Sequence, residues 1–211
     1  MKVEIWFDFV CPFCYLGHAK FEKALYEFEH KDEVELVFRS FRLNMDQKTT
    51  VGKNIHQIIA EKYGISYAEA KANNDYIAKA GREVGLNYNF DVMKLGETET
   101  AHQIMQYAKK HRKDHDLIRR YFKAYFEEGL NIGDKQELLK IAGEIGLDLS
   151  ELNHELVNGS LKAEMLKDEA AAHSLGINGV PHFIIDRKYS ISGAQDPKHF
   201  LAALNKIYAE H

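Results

Sequence analysis

Cys11 and Cys14 are the only cysteines in this chain of 211 residues, and they stand where the sequence pattern changes. Before them, residues 3–9 (Val-Glu-Ile-Trp-Phe-Asp-Phe) are rich in aromatic and β-branched side chains, the composition of a short, mostly buried strand. After them, Leu16, Ala19, Ala24, Leu25 and Phe28 recur at spacings near three and four, which predicts an amphipathic helix to about residue 29. Pro12 falls in its first turn, where a missing N–H costs nothing. A thiol between a strand's end and a helix's N-terminus meets unpaired backbone N–H groups and the positive end of the helix dipole, and both stabilise a thiolate. Cys11 is therefore the expected nucleophile. Cys14, one helical turn further in, is within disulfide reach and is the expected resolving thiol. The competing readings are two inert core cysteines or half of a zinc site. Zinc requires further ligands, of which only His18 is near, on what reads as a solvated helix position, so no metal is expected.

Size and charge narrow the setting. A chain of this length buries roughly 70% of its unfolded surface, so it needs no staple to hold a core. A formal charge of −4, from 28 Lys and Arg against 32 Asp and Glu, argues against nucleic acid as a partner. Glu4 and Asp8 interrupt the apolar N-terminal segment, so it does not read as a signal peptide, and no apolar run is long enough to predict a membrane span. The expectation is a cytoplasmic protein without a membrane partner, a setting in which paired thiols are more often catalytic, redox-sensing or metal-binding than structural.

Residues 33–41 read as a second strand, so the chain opens strand, helix, strand, the order of a parallel pair joined by a crossover. Residues 45–158 then read as helices alone. Ser66 with Glu69 and Asp134 with Glu137 have the spacing of capping boxes. Gly64-Ile65, Gly85-Leu86, Gly146-Leu147 and Gly176-Ile177 each place a glycine and then an apolar residue at the end of a helical run, as a left-handed C-cap requires. A helix over 160–175 leads to Pro181, a strand over 182–186, a tight turn at Arg187-Lys188, a strand over 189–192, and a last helix opened by Asp196-Pro197. The predicted class is α/β: residues 1–44 and 159–211 form one discontinuous domain, interrupted by a helical domain at 45–158.

At the residue level a resemblance becomes specific. Asp8-Phe9-Val10-Cys11-Pro12-Phe13-Cys14-Tyr15-Leu16-Gly17 resembles the active-site segment of the DsbA-like thioredoxin-fold family, and in particular its FrnE branch, whose pattern is close to D-x-x-C-P-W-C-Y-x-G. Further similar segments follow in the family's order. They are Phe38-Arg39-Ser40-Phe41-Arg42-Leu43-Asn44, Thr100-Ala101-His102, Gly179-Val180-Pro181 and Ser192-Gly193-Ala194-Gln195. Phe13 departs from the branch's Trp, and Glu97 stands where Asn is expected.

The resemblance implies a thioredoxin fold with an inserted helical domain, a cis Pro181 beside the cysteines, and a Val180 backbone that pairs with an extended substrate. It makes Pro12, Phe13 and His102 further candidates for substrate binding. Asp8 has two readings, a proton acceptor or a loop cap, and His182 reads as packed or solvated. The basic stretch Lys109-Lys110-His111-Arg112-Lys113 is interleaved with nearby Asp114 and Asp116 and reads as a solvated face.

The expected activity is thiol–disulfide exchange through Cys11 and Cys14, on protein or glutathione disulfides. No tightly bound cofactor is expected, and glutathione is the candidate reductant or co-substrate. Phe13 supplies neither charge nor hydrogen bond to Cys11, so a mild oxidant is expected. The alternative is a glutathione-dependent isomerase resembling 2-hydroxychromene-2-carboxylate isomerases, but those enzymes carry Ser at the first cysteine position. A thioredoxin-like binding module is the third reading, and such modules usually lack the cysteine pair.

Overall fold

The computed structural model describes residues 1–43 and 52–210. Asn44 and the first residues of the expected helical block, 45–51, lie outside the described residues. The chain divides into two compact units, one of Met1–Leu43 with Asp168–His211 and one of Asn44–Lys167.

The first unit opens with β1 (Lys2–Phe7), α1 (Pro12–Glu27), a 3-10 turn (Lys31–Glu33) and β2 (Glu35–Ser40). After the helical unit it resumes within α8 (Ser160–Ser174) and ends with β3 (His182–Ile185), β4 (Tyr189–Ser192) and α9 (Pro197–Tyr208). These strands form a four-stranded sheet in the order β2-β1-β3-β4. β1 and β2 are parallel, as the opening order predicts, with Trp6 opposite Arg39. β1 and β3 are antiparallel, with Trp6 opposite His182, and β3 and β4 form an antiparallel hairpin.

Because side chains alternate across a strand, the sheet has two apolar faces. On one, Phe183 of β3 meets Phe21 of α1 at 5.3 Å and Phe200 of α9 at 4.8 Å between ring centroids. On the other, Trp6, Phe41, Ala172, Ile177 and Ile184 form a buried cluster, against which Ala171 and Val180 pack.

The first two strands are shorter than the pattern suggests. Residues 31–33 are taken up by the 3-10 turn, and β2 begins only where Lys2 supplies a partner for Glu35. The hairpin turn is centred one residue earlier than expected. Asp186 and Arg187 hold φ of 49° and 57°, and Lys188 N–H donates to Ile185 O at 3.0 Å. Two left-handed residues give the turn the twist that a tight hairpin needs.

The helical unit contains α2 (Ile55–Tyr63), α3 (Tyr67–Arg82), a 3-10 turn (Phe90–Val92), α4 (Glu99–Lys110), α5 (Asp114–Glu127), α6 (Lys135–Glu144), α7 (Leu149–Asn158) and the first half of α8. Ile104, Met105, Tyr107, Leu117, Ile118, Tyr121, Leu138 and Leu152 are fully buried. The four glycine stops behave alike. The N–H of Ile65, Leu86, Leu147 and Ile177 each donates to a carbonyl five residues back, on Ala60, Gly81, Ala142 and Ala172, the closing bond of a Schellman cap. Ser66 and Glu69 form the complete capping box. Asp134 accepts from Gln136 and Glu137 N–H, but the Glu137 carboxylate turns to Asn131 N–H instead, so that box is half made. Among the described residues no helix is long and apolar enough to cross a membrane.

Candidate active site

Cys11 is the residue that caps α1 at its N-terminus, with extended backbone angles (φ −86°, ψ 111°), and Pro12 occupies the first turn. Its carbonyl accepts from Cys14 N–H at 2.9 Å, and its own N–H donates to Asp8 O at 3.2 Å. No acidic residue lies in the first turn of α1, so the sulfur of Cys11 stands at the positive end of the helix without a competing carboxylate there. Cys11 and Cys14 are free thiols, 5% and 1% exposed.

The two thiols sit in different surroundings. Asp8 N–H donates to Cys14 Sγ at 3.5 Å. Burial pushes the Cys14 thiol well above its ordinary pKa, and the hydrogen bond to Cys11 and the charges of Cys11 and Asp8 add to the rise, against the Asp8 N–H bond. Cys11 Sγ lies 3.6 Å from Val180 O, toward which its S–H is directed. The Val180–Pro181 peptide bond is cis, as the resemblance implies.

The loop that faces Cys11 is itself tied to the segment before α9 and, through it, back to α1. Pro181 O accepts from Gly193 N–H at 2.8 Å, which ties the Gly179-Val180-Pro181 loop to Ser192-Gly193-Ala194-Gln195. Lys20 Nζ donates to Ala194 O at 3.3 Å, which ties that segment to α1. Pro181 is buried, Pro12 and Val180 are half-buried, and Phe13 is 46% exposed, an apolar ring presented beside the thiols.

Asp8 is buried at the end of β1, and its Oδ2 accepts from Leu43 N–H at 2.9 Å, so it holds the chain where β2 has ended. His182, the first residue of β3, is half-buried, with Nε2 2.7 Å from Ser190 Oγ, and burial lowers its pKa. His18 does not occupy a solvated position. It is 5% exposed, its ring lies 5.5 Å from that of Phe38, and Nδ1 is 3.6 Å from Glu22 Oε2.

His102 is fully buried on α4, in the helical unit, whereas the other candidate site residues belong to the first unit. In the basic stretch, Lys110 pairs with Glu155, and Lys113 Nζ donates to Ile145 O and Gly146 O, capping the C-terminal end of α6. Sequence reasoning missed a buried ionic network beneath the sheet. Glu4 is 1% exposed inside β1 and accepts from Arg39 Nη2 and Arg187 Nη2, each at 2.7 Å. The carboxyl group of Glu4, set among Val3, Ile5, Trp6 and Phe7, was the available signal.

The model for the DSBA-like thioredoxin domain matches residues 2–205, and the chain belongs to that family. Its α/β architecture is the family's thioredoxin fold with a helical insertion. The whole chain is similar to the crystal structure of a probable DsbA oxidoreductase from Streptomyces coelicolor, with 34% identity, a TM-score of 0.92 and 91% of that chain covered. It also shares the fold of a 2-hydroxychromene-2-carboxylate isomerase, at 16% identity and a TM-score of 0.72 over 100% of this chain and 97% of that one. The cytosolic disulfide reductase DsbM from Pseudomonas aeruginosa, in a structure with GSH, is similar at 16% identity and a TM-score of 0.67, over 99% of this chain and 100% of that one.

Proposed function

We propose that this protein is a thiol–disulfide oxidoreductase that moves two electrons through Cys11 and Cys14. The observation that carries the reading is a free thiol at the N-terminus of α1, backed one turn on by a second, buried thiol. Both fold neighbours at 16% identity, an isomerase and a reductase, have the same architecture, so the fold does not choose between them. The cysteine pair favours exchange.

In the oxidising direction the disulfide form, Cys11–Cys14, is attacked at Cys11 Sγ by a substrate thiolate, and Cys14 leaves as a thiolate. A second substrate thiolate attacks the substrate sulfur of this mixed disulfide. The substrate leaves as a disulfide and Cys11 leaves as a thiolate. In the reducing direction the Cys11 thiolate attacks a substrate disulfide and expels one substrate thiolate. Cys14 then surrenders its proton to solvent, attacks Cys11 Sγ and expels the other. Glutathione closes the cycle by the same chemistry: two molecules reduce the Cys11–Cys14 disulfide and leave as glutathione disulfide. The glutathione-containing DsbM structure supports that thiol as a partner and its cytosolic setting supports a cytoplasmic location.

Val180 offers its backbone beside the thiols, which suits an extended peptide disulfide, and Phe13 offers an apolar contact. The test is to treat the reduced protein with a modest excess of oxidised glutathione. Exchange predicts loss of both free thiols and about two mass units, with no lasting adduct. A stable single adduct on Cys11 with Cys14 still free, together with glutathione-dependent isomerisation of an aromatic substrate, would favour the isomerase reading instead.

A further inference from the structure

We infer that Arg39 and Asp168 are positioning residues for this exchange: their ion pair, between a half-buried guanidinium and a buried carboxylate, fixes α8 against the sheet and thereby sets Val180 against Cys11. The inference rests on the oxidoreductase reading. Arg39 Nη1 donates to Asp168 Oδ1 at 2.8 Å, and Ser40 N–H donates to Asp168 Oδ2 at 3.2 Å. The Trp6 indole N–H reaches the Asp168 carbonyl at 3.1 Å. One residue on, Glu169 takes Arg42 in a two-point pair, at 2.6 and 3.1 Å. The carboxylate and carbonyl of Asp168 are thus held from β1 and β2, and Glu169 is held by the residue two positions beyond β2.

The line from this clamp to the thiol is short. Asp168 and Glu169 lie in the same helix as Ala171 and Ala172, and α8 ends in the cap that returns Ile177 N–H to Ala172 O at 2.9 Å. Ile177 and Ala172 pack on Trp6, and Val180 packs against the same cluster. Only Asn178 and Gly179 separate Ile177 from Val180, whose carbonyl faces Cys11 Sγ at 3.6 Å. Trp6 is therefore common to both ends: its N–H holds the start of the clamped segment, and its ring seats the residues that lead into the Val180–Pro181 bond.

Stability alone accounts poorly for this arrangement. Glu4, Asp168 and Glu169 are buried, and buried ion pairs commonly contribute little net stability relative to apolar residues of the same size. A rigid, directional clamp is what such a pair offers that an apolar contact does not, because two charged hydrogen-bonding groups tolerate only a narrow range of separations.

The test uses the full chain with Asp168→Asn and Arg39→Lys, which keep side-chain size or charge while weakening the clamp. Trp6→Phe serves as a third variant that keeps the aromatic seat and deletes the N–H. Each is assayed with two disulfides: an extended peptide that carries a disulfide, which needs the Val180 backbone, and 5,5′-dithiobis(2-nitrobenzoate), which needs only an open Cys11. Urea unfolding identifies conditions in which each variant is folded.

Misplacing a binding group without touching the reacting atoms is expected to lower kcat/KM for the peptide by about tenfold to a hundredfold, carried mostly by KM, and to change the small disulfide's rate by less than about twofold. An equal loss on both substrates, or undiminished peptide exchange in the folded variants, overturns the positioning role. A parent protein that exchanges neither substrate would instead overturn the oxidoreductase reading itself.

Discussion

A Cβ atom added to Gly17 would stand 2.8 Å from Cγ of Pro181, and 3.4 Å from Cα of Ala194. Gly17 is what lets α1 lie directly against the loop that faces its own catalytic end. In an ordinary helix interior, Gly→Ala gains up to about 1 kcal/mol from helix propensity. Here the added methyl meets a proline ring and a backbone atom, neither of which can swing aside as a long side chain would. Overpacking of this kind costs about 1–3 kcal/mol, so the clash outweighs the propensity gain. Gly17→Ala is expected to lower the urea midpoint and to slow exchange with a peptide disulfide, by moving Pro181 away from Cys11. A midpoint above that of the parent would show that the loop accommodates the methyl group.

The two cysteines should fail in different ways. Cys11→Ser removes the attacking sulfur and is expected to abolish dithiol-dependent reduction of a test disulfide. Cys14→Ser leaves Cys11 able to attack but removes the internal route of release, so mixed disulfides should accumulate on nonreducing gels. A Cys14→Ser protein that turns over at the parent rate would reverse the assignment. At neutral pH, brief alkylation followed by mass spectrometry should label Cys11 and spare Cys14, which is 1% exposed.

Burial, chiefly, holds the Cys14 thiol well above its ordinary pKa of 9.0. Between 9.0 and its folded value, Cys14 keeps its proton in the folded protein and loses it in the unfolded chain. The folded state then binds more protons, so stability falls as pH rises. The contribution is complete below the ordinary thiol range and is lost as pH climbs through the folded value. In the reduced state, the parent protein's urea midpoint is therefore expected to drop more steeply above pH 9.0 than that of Cys14→Ala, other titrating groups being common to both. Parallel curves would refute the assigned environment.

Local signals made much of this fold legible. The capping box at Ser66, the glycine-apolar stops and the Asp196-Pro197 start are written within five or six residues, and each one folds as its residues suggest. The cysteine pair was legible for the same reason, since strand, proline and helix are adjacent in the chain. What escaped depends on partners far away. The tight turn moved to Asp186-Arg187 because Asp186 Oδ1 accepts from Lys2 N–H and Arg187 reaches Glu4, 183 residues earlier in the chain. His18 is buried because Phe38 of β2 lies against it, and nothing in the periodicity of α1 singles out that face. Asp168 falls within the helix expected over 160–175, and nothing in that segment singles it out. Its role requires Arg39, 129 residues away, and no local pattern joins them.

Phe13 lies between the two cysteines and is 46% exposed, at the N-terminal end of α1. A phenyl ring at this point lends no charge and no hydrogen bond to a thiolate on Cys11, so the reduced state there depends on the helix terminus and the surrounding backbone. Histidine in its place would supply an N–H donor and, when protonated, a positive charge beside the sulfur. Either contribution favours the thiolate over the disulfide and so raises the reduction potential. For a two-electron couple, a tenfold shift in the equilibrium with glutathione corresponds to about 30 mV. Phe13→His is accordingly expected to raise the potential by at least about 30 mV and to make the protein a stronger oxidant of a dithiol peptide. The shift should grow as pH falls toward the imidazole range, because the charged form contributes more than the neutral one. Equilibration against glutathione buffers at two pH values measures both effects. An unchanged potential at each pH would mean that position 13 does not face the Cys11 sulfur, and that the redox poise of the pair is set by the helix terminus alone.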